Sequence, residues 1–116
     1  MRPGARSPEE LDELLEDAFV MRGADECRTL FREGALVGEA NGLLDRCGEP
    51  AARALPALWR RNCTYVAGTS AVLRTRNTAL VVADAGTHVV VRGRDGTWRA
   101  AISLLDLQPS TGSELT

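Results

Sequence analysis

Hydrophobic positions near the start of the chain recur with the period of an amphipathic helix. Ser7-Pro8-Glu9-Glu10 is typical of a helix start, with a serine N-cap and a proline in the first turn. Gly23 predicts the end of this helix. Its apolar stripe comprises Leu11, Leu14, Leu15, Ala18 and Phe19, with Arg22 in line with them. Its polar face comprises Glu9, Glu10, Asp12, Glu13 and Glu16.

Three further elements follow before the pattern changes. A second, short helix is capped by Asp25 and extends to Phe31. Two short apolar runs then flank Asn41-Gly42, which predicts a β-hairpin. Gly48-Glu49-Pro50 opens a third helix with Pro50 in its first turn, and Pro56 inside its pattern predicts a kink or a division into two helices. Its apolar stripe comprises Ala51, Ala54, Leu55, Leu58 and Trp59.

The second half of the chain has the alternation and the turn spacing of an antiparallel meander. Strands are predicted at residues 64–75, 78–83, 87–92 and 97–107, with Gly68 as a bulge or bend in the first. In the third of these strands the more apolar set is Thr87, Val89 and Val91, so His88 falls on the opposite face. In the last strand the expected core-facing set is Trp98, Ala100, Ile102 and Leu104.

The predicted order α-α-β-β-α-β-β-β-β indicates an α+β fold, with the helices packed on one face of a curved sheet. The 116 residues suffice for one domain whose core needs no metal or disulfide. We expect the domain at residues 7–108. Residues 1–6 and 109–116 are rich in Pro, Gly, Ser and Thr and are expected to be loose tails.

Composition and charge exclude several classes of partner. The net charge is −2, from 14 basic and 16 acidic residues, and no basic block occurs, which argues against a nucleic-acid partner. Every basic residue is arginine, a skew typical of GC-rich bacterial genomes. Three cysteines without CxxC spacing and a single histidine argue against zinc and indicate reduced thiols. Without an apolar leader or a membrane-length run, we expect a cytoplasmic protein with no membrane partner.

Several local segments together carry a family resemblance. They are residues 18–25, LFREGALV at 30–37, Gly48-Glu49, TALVVAD at 78–84 and DGTWRAAI at 95–102. In this order they resemble the nuclear-transport-factor-2-like superfamily, also called the cystatin-like or ketosteroid-isomerase-like cone fold. The last two segments look most like small bacterial members similar to polyketide cyclases and to proteins of unassigned function. The resemblance implies a curved, mostly antiparallel sheet wrapped around the N-terminal helix, a conical pocket and a dimer.

The superfamily includes isomerases, epoxide hydrolases, dehydratases, cyclases and non-catalytic modules, so the fold alone does not define a reaction. The isomerases place a tyrosine on the first helix, but this helix carries Phe19, and the single tyrosine is Tyr65. The Arg-x-Asp pair of the epoxide hydrolases is missing from the predicted strands. Arg99 and Asp106 lie seven residues apart and face opposite sides of a regular strand. Cyclase-like members use an acidic residue, sometimes with a histidine.

Asp106 and His88 are therefore the candidate catalytic residues. Asp106 shares the alternation of the expected core-facing set, so it is either a strand end that meets water or a buried, functional carboxylate. A histidine is suited to proton transfer near neutral pH, although a lone histidine on a strand is more often at a surface or interface. Asp84 is explained by turn chemistry and Asp17 by a solvated helix flank.

Arg22, Trp59, Tyr65 and Trp98 are candidate ligand-binding residues. Arg22 is either a last-turn arginine whose stem covers the core, or an anchor for an anionic ligand or for Asp106. The three aromatic residues suit a core and equally suit the lining of a pocket. Cys63 has no neighbouring basic residue that would activate it, and we expect a buried thiol.

Two classes of function remain open from the sequence. The first is a cofactor-independent cyclase, isomerase or dehydratase that works by general acid–base chemistry and has no metal. The second is a non-catalytic module that binds a small apolar or aromatic molecule or serves for dimerisation. A homodimer through the outer face of the sheet is expected. Convergence of Asp106, Arg22 and either His88 or Tyr65 on one cavity would favour the enzyme.

Overall fold

Two helices precede the first strand, and a third lies between the second and third strands. The structure, a computed structural model, describes residues 4–40 and 48–109. A 3₁₀ turn at Pro8–Glu10 precedes the helices, which are α1 (Leu11–Met21), α2 (Ala24–Leu30) and α3 (Ala51–Arg60). The strands are β1 (Phe31–Glu39), β2 (Glu49–Pro50), β3 (Cys63–Thr64), β4 (Ser70–Arg74), β5 (Thr78–Ala83), β6 (Gly86–Arg92), β7 (Trp98–Leu105) and β8 (Gln108–Pro109). The predicted α+β class is confirmed.

The strands form one large, mostly antiparallel sheet. Its order is β2-β1-β7-β6-β5-β4, and β3 pairs with β8 in a separate ladder. Only β1 and β7 pair in parallel among these described strands. One apolar core joins α1, α3 and the inner face of the sheet through residues such as Leu15, Leu58 and Val90. This is the expected curved sheet around the N-terminal helix.

A bulge in β7 corrects the predicted inner face of that strand. Val90 of β6 lies opposite Ala100, whereas Val89 lies opposite Ile102, so one extra residue is inserted at Ala101. Trp98 and Ala100 are buried as expected. Beyond the bulge the alternation reverses, so the expectation for Ile102 and Leu104 is wrong: these side chains are 53% and 48% exposed. The buried positions become Ser103 and Leu105.

The predicted faces of β6 are reversed as well. His88 and Val90 point into the core, whereas Thr87, Val89 and Val91 are only half-buried. Valines occur on both faces of this strand, so hydrophobicity alone could not assign the inner one. The reversal moves the single histidine of the chain from the expected surface into the interior.

Other element boundaries differ from the prediction for local reasons. The strand expected at 64–75 is interrupted, because residues 65–69 are irregular between β3 and β4. Phe31 begins β1 instead of ending α2, since it pairs with Ala100 of β7. Pro56, at which a kink or a division into two helices was predicted, lies inside the single helix α3.

Ala5, expected in a loose tail, is fully buried and pairs with Trp98. The hairpin predicted at Asn41-Gly42 lies outside the described residues.

No helix within residues 4–40 and 48–109 is long and apolar enough to cross a membrane.

Candidate functional site

Four polar side chains are connected by hydrogen bonds in the interior. The hydroxyl of Tyr65 lies 2.5 Å from Oδ1 of Asp12 and 3.0 Å from Nε2 of His88. Nδ1 of His88 lies 2.7 Å from Oγ of Ser103. All four residues are at most 2% exposed. We call Asp12, Tyr65, His88 and Ser103 the buried network.

The buried network is assembled from four separate parts of the chain. Asp12 comes from the first turn of α1, Tyr65 directly follows β3, His88 is central in β6 and Ser103 lies in β7. His88 and Ser103 are directly opposite in the β6–β7 ladder, which explains their contact. Gly86 leaves room for the imidazole, because a Cβ at that position would lie 3.0 Å from Nε2. The fold thus collects polar groups that are far apart in sequence.

Burial controls the protonation of the two titratable rings. Burial lowers the pKa of His88 to about 4, against the opposing effect of the Asp12 carboxylate. The imidazole is therefore neutral near pH 7. Burial, the hydrogen bond to Asp12 and the charge of Asp12 raise the pKa of Tyr65 well above its ordinary value. Tyr65 therefore stays a hydrogen-bond donor instead of becoming a phenolate.

Aromatic rings pack beside the buried network. Phe19 of α1 lies 5.8 Å from the ring of Tyr65 and 6.0 Å from that of Trp59, measured between ring centroids. The Phe19–Trp59 pair is edge-to-face, a favourable geometry for aromatic rings. Trp59, a predicted ligand contact, thus belongs to the wall that supports Tyr65.

An irregular segment covers the buried network. Residues 66–69, which we call the strap, connect Tyr65 to β4. The backbone N–H of Gly68 donates to Oδ2 of Asp12 at 2.9 Å, and that of Ala67 donates to Oε1 of Glu16 at 3.2 Å. Two acidic residues one turn apart on α1 therefore fasten two consecutive amides of the strap.

A small cleft lies beside the strap. Its volume is about 160 Å³, and its lining residues are Thr64, Val66, Ala67, Asp84, Ala85 and Asp106. Asp84 lies so close to the strap that a Cβ at Gly68 would fall 2.6 Å from its Oδ2. The cleft thus borders residues that adjoin Tyr65, Gly68 and Gly86 in the chain, and the strap lies between it and the buried network.

A larger groove lies elsewhere, along the outer side of α1. Its volume is about 920 Å³, and it is open to solvent. Acidic residues, among them Glu13 and Asp17, and the exposed Val20 and Met21 line it. Its lining contains none of the four residues of the buried network. The larger groove and the buried network therefore lie in different places.

The structure brings together only part of the predicted site. His88 and Tyr65 meet in the buried network. Asp106 is exposed, because the bulge in β7 changes the face on which this end of the strand lies, and it lines the cleft. Arg22 is exposed, and its guanidinium donates to O of Phe19 and to Oδ1 of Asn62. The expected convergence of Arg22 and Asp106 with the rings therefore does not occur.

Trp98 also lies outside the buried network. It is buried at the start of β7, with the guanidinium carbon of Arg74 5.2 Å from its ring centroid. It is a packing residue, and the cation above its ring adds a favourable electrostatic contact.

Sequence reasoning missed Asp12 and Ser103. Asp12 was assigned to the acidic face of the first helix, yet it precedes Leu15 by three residues and Phe19 by seven. This spacing places it on the edge of the buried stripe and was a usable signal. Ser103 carried no such signal, because only the bulge at Ala101 turns it inward.

Metal-binding side chains are not clustered in the part of the chain that the structure describes. Within residues 4–40 and 48–109, no three His, Cys, Asp or Glu side chains lie close enough together to hold a metal ion.

Comparison with known proteins finds likeness in structure alone. No protein-family model matches the chain, and no curated protein matches it. A protein of unknown function with a cystatin-like fold from Nostoc punctiforme has a TM-score of 0.64 at 13% identity, covering 95% of this chain and 97% of that one. A cystatin-like protein from Caulobacter vibrioides has a TM-score of 0.65 at 16% identity, covering 92% and 91%.

A third similar structure is a candidate ketosteroid isomerase from Shewanella frigidimarina, with a TM-score of 0.59 at 12% identity, covering 85% of this chain and 92% of that one. A nuclear-transport-factor-2-like protein from Shewanella baltica is also similar, with a TM-score of 0.60. At these identities the likeness concerns the fold alone. The strand order and these structural relatives together identify the fold of the chain as the cystatin-like cone of the nuclear-transport-factor-2-like proteins.

Proposed function

We propose that the protein is a cofactor-independent enzyme that moves a proton on a small organic molecule, as in isomerisation, cyclisation or dehydration. The observation that carries this proposal is the buried network, in which a carboxylate, a phenol and an imidazole are connected inside an apolar core. Burying such groups costs free energy that an apolar core would avoid. Perturbed titratable groups of this kind are typical of acid–base sites.

Access to the buried network requires movement of the strap. Val66 of the strap is more than half exposed, and the strap is fastened through its two amides to Asp12 and Glu16. Two backbone hydrogen bonds in a short irregular segment are a small barrier to opening. Displacing the strap would join the cleft to the interior.

Asp12 is the proton acceptor in this proposal. When the strap opens, Oδ2 loses the N–H of Gly68, whereas Oδ1 keeps the hydroxyl of Tyr65. Oδ2 can then take a proton from a carbon next to the substrate carbonyl and return it to another carbon, so that no atom is gained or lost. Tyr65 and neutral His88 hold the carboxylate in place.

The cleft restricts the substrate class. A cavity of about 150 Å³ accommodates one benzene ring, which is comparable to the cleft of about 160 Å³. Two carboxylates, Asp84 and Asp106, line it and disfavour an anion. The proposal therefore favours an uncharged single-ring substrate such as a cyclic ketone, in place of the anionic ligand considered for Arg22.

The test uses a single-ring β,γ-unsaturated ketone, whose conversion into the conjugated isomer is followed by ultraviolet absorbance. Asp12→Asn should lower kcat/KM by about a hundredfold or more, the usual contribution of a positioned base. Asp17→Asn is the matched control, because Asp17 is an exposed aspartate on the same helix. Equal rates in wild type and Asp12→Asn, or no conversion by the wild type, would refute the proposal.

A second candidate function, dimerisation, is favoured by the outer face of the sheet. Neither of two cross-strand rows contains a charged side chain, and each crosses five strands, a width of roughly 19 Å. One row is Leu73, Leu80, Val89, Ile102 and Leu36, and the other is Ala71, Val82, Thr87, Leu104 and Gly38. We call these two rows the outer apolar face.

We propose that a second copy of this chain covers the outer apolar face. A two-fold axis would place this uncharged surface against itself, so that no like charges meet at its centre. Sedimentation of the wild type should give twice the 12.5 kDa of one chain. Ile102→Arg should give a monomer, and Val20→Arg, at a still more exposed apolar position on α1, should stay dimeric. A monomeric wild type would refute this assignment.

A further inference from the structure

The distances within the buried network determine where its hydrogens lie. Tyr65 has one hydroxyl hydrogen and two close neighbours, Oδ1 of Asp12 and Nε2 of His88. Two oxygens 2.5 Å apart require a hydrogen between them. That hydrogen belongs either to Tyr65 or to a protonated Asp12.

Two features favour an ionised Asp12 and therefore a hydroxyl that points from Tyr65 to Asp12. The backbone N–H of Gly68 donates to Oδ2 at 2.9 Å, and donors of this kind stabilise a carboxylate. Asp12 also lies in the first turn of α1, where the helix dipole favours negative charge. Asp12 is thus the acceptor at the end of the buried network.

The remaining hydrogens follow from this first one. Because the Tyr65 hydroxyl directs its single hydrogen at Oδ1 of Asp12, Nε2 of His88 must donate to the phenol oxygen across 3.0 Å. A neutral imidazole has a single N–H, so Nδ1 carries a lone pair. Oγ of Ser103, 2.7 Å away, must then donate its hydroxyl hydrogen to Nδ1.

We propose that Ser103 is a positioning residue, which by donating to Nδ1 holds the hydrogen of His88 on Nε2 and so directs the Tyr65 hydroxyl to Asp12. The order runs in one direction, from Ser103 through His88 and Tyr65 to Asp12. The Tyr65 hydroxyl occupies Oδ1 of Asp12. The substrate proton therefore arrives only at Oδ2, which faces the strap. This consequence rests on the proposed function, whereas the hydrogen order itself does not.

Nitrogen NMR of the imidazole tests the hydrogen order directly. His88 is the single histidine and needs no assignment. At pH 7 the wild type should show a protonated Nε2 and an unprotonated, hydrogen-bonded Nδ1. Ser103→Ala should shift the tautomer ratio toward Nδ1–H by roughly fivefold, the equivalent of one net hydrogen bond. Ser103→Thr keeps a hydroxyl and should restore the wild-type ratio.

Ser70→Ala is the matched control, because Ser70 is an exposed serine at the start of β4. A wild-type imidazole protonated on Nδ1 would overturn the proposal even if no variant folded. An unchanged ratio in folded Ser103→Ala would overturn it too. The spectra need no turnover, so loss of the proposed enzyme activity and loss of the tautomer order are separate results. If both hold, Ser103→Ala should lower kcat and leave KM unchanged.

Discussion

The two faces of the same sheet depart from the usual pattern of an apolar inner face and a polar outer face. The inner face carries His88 and Ser103, fully enclosed, whereas the outer face carries the exposed Ile102 and Leu104. The polar groups inside are connected to one another, and the apolar groups outside form continuous rows. A polar group deep inside and an apolar group on the surface both carry a cost. This difference is the reason that we propose chemistry at the inner face and association at the outer face.

The largest expected effect separates the faces by packing. Trp98→Ala removes a fully buried side chain of the inner face and should lower the free energy of unfolding by about 4 kcal/mol. Leu104→Ala, on the outer face, should cost about 0.5 kcal/mol. Urea denaturation of both changes in the Ile102→Arg background, which we expect to be monomeric, keeps association out of the measurement. Equal losses would show that the two faces do not differ as described.

The next effect tests the neutral imidazole of the inner face. The pKa of His88 is lowered to about 4, so between pH 6.5 and 4 the unfolded chain binds a proton that the folded chain does not. Stability should therefore fall as the pH falls through this window. The full loss is about 3 kcal/mol, and about 2 kcal/mol of it should be gone at pH 5.

The matched variant for this pH effect is His88→Gln, which removes the single histidine. Its stability should change little between pH 7 and 5. Parallel pH profiles for wild type and His88→Gln would contradict a buried, neutral imidazole.

A smaller effect tests the centre of the buried network. Tyr65→Phe keeps the ring against Phe19 but leaves Oδ1 of Asp12 and Nε2 of His88 without their partner. Unsatisfied buried polar groups cost about 1–3 kcal/mol, so we expect a loss of about 2 kcal/mol in thermal or urea unfolding. A neutral or stabilising effect would mean that the hydroxyl contributes nothing to the fold.

The fold was largely accessible from the sequence, because it depends on features that are local. The proline-led start of the first helix, the stripe of the third and the short turns of the meander each predict an element from neighbouring residues. The five segments at 18–25, 30–37, 48–49, 78–84 and 95–102 together carried the resemblance, and the structural comparisons support the fold that it implies.

The site was accessible only in part, because it depends on register. One inserted residue at Ala101 turns Ser103 inward and leaves Asp106 exposed, and no residue type in the strand marks that insertion. Because valines occur on both faces of β6, the sequence pattern could not show which face carries His88 inward. Asp12 was concealed among the other acidic residues of the first helix, although its spacing from Leu15 and Phe19 marked the buried side.

The most direct test of the central claim, that small molecules react at the inner face, is where a bound ketone lies. Intermolecular nuclear Overhauser contacts between the single-ring ketone and the protein can be read without ambiguity, because the chain has one tyrosine and one histidine. We predict contacts from the ketone to the rings of both Tyr65 and His88. Contacts confined to Val20 and Met21, in the groove outside α1, would contradict the account.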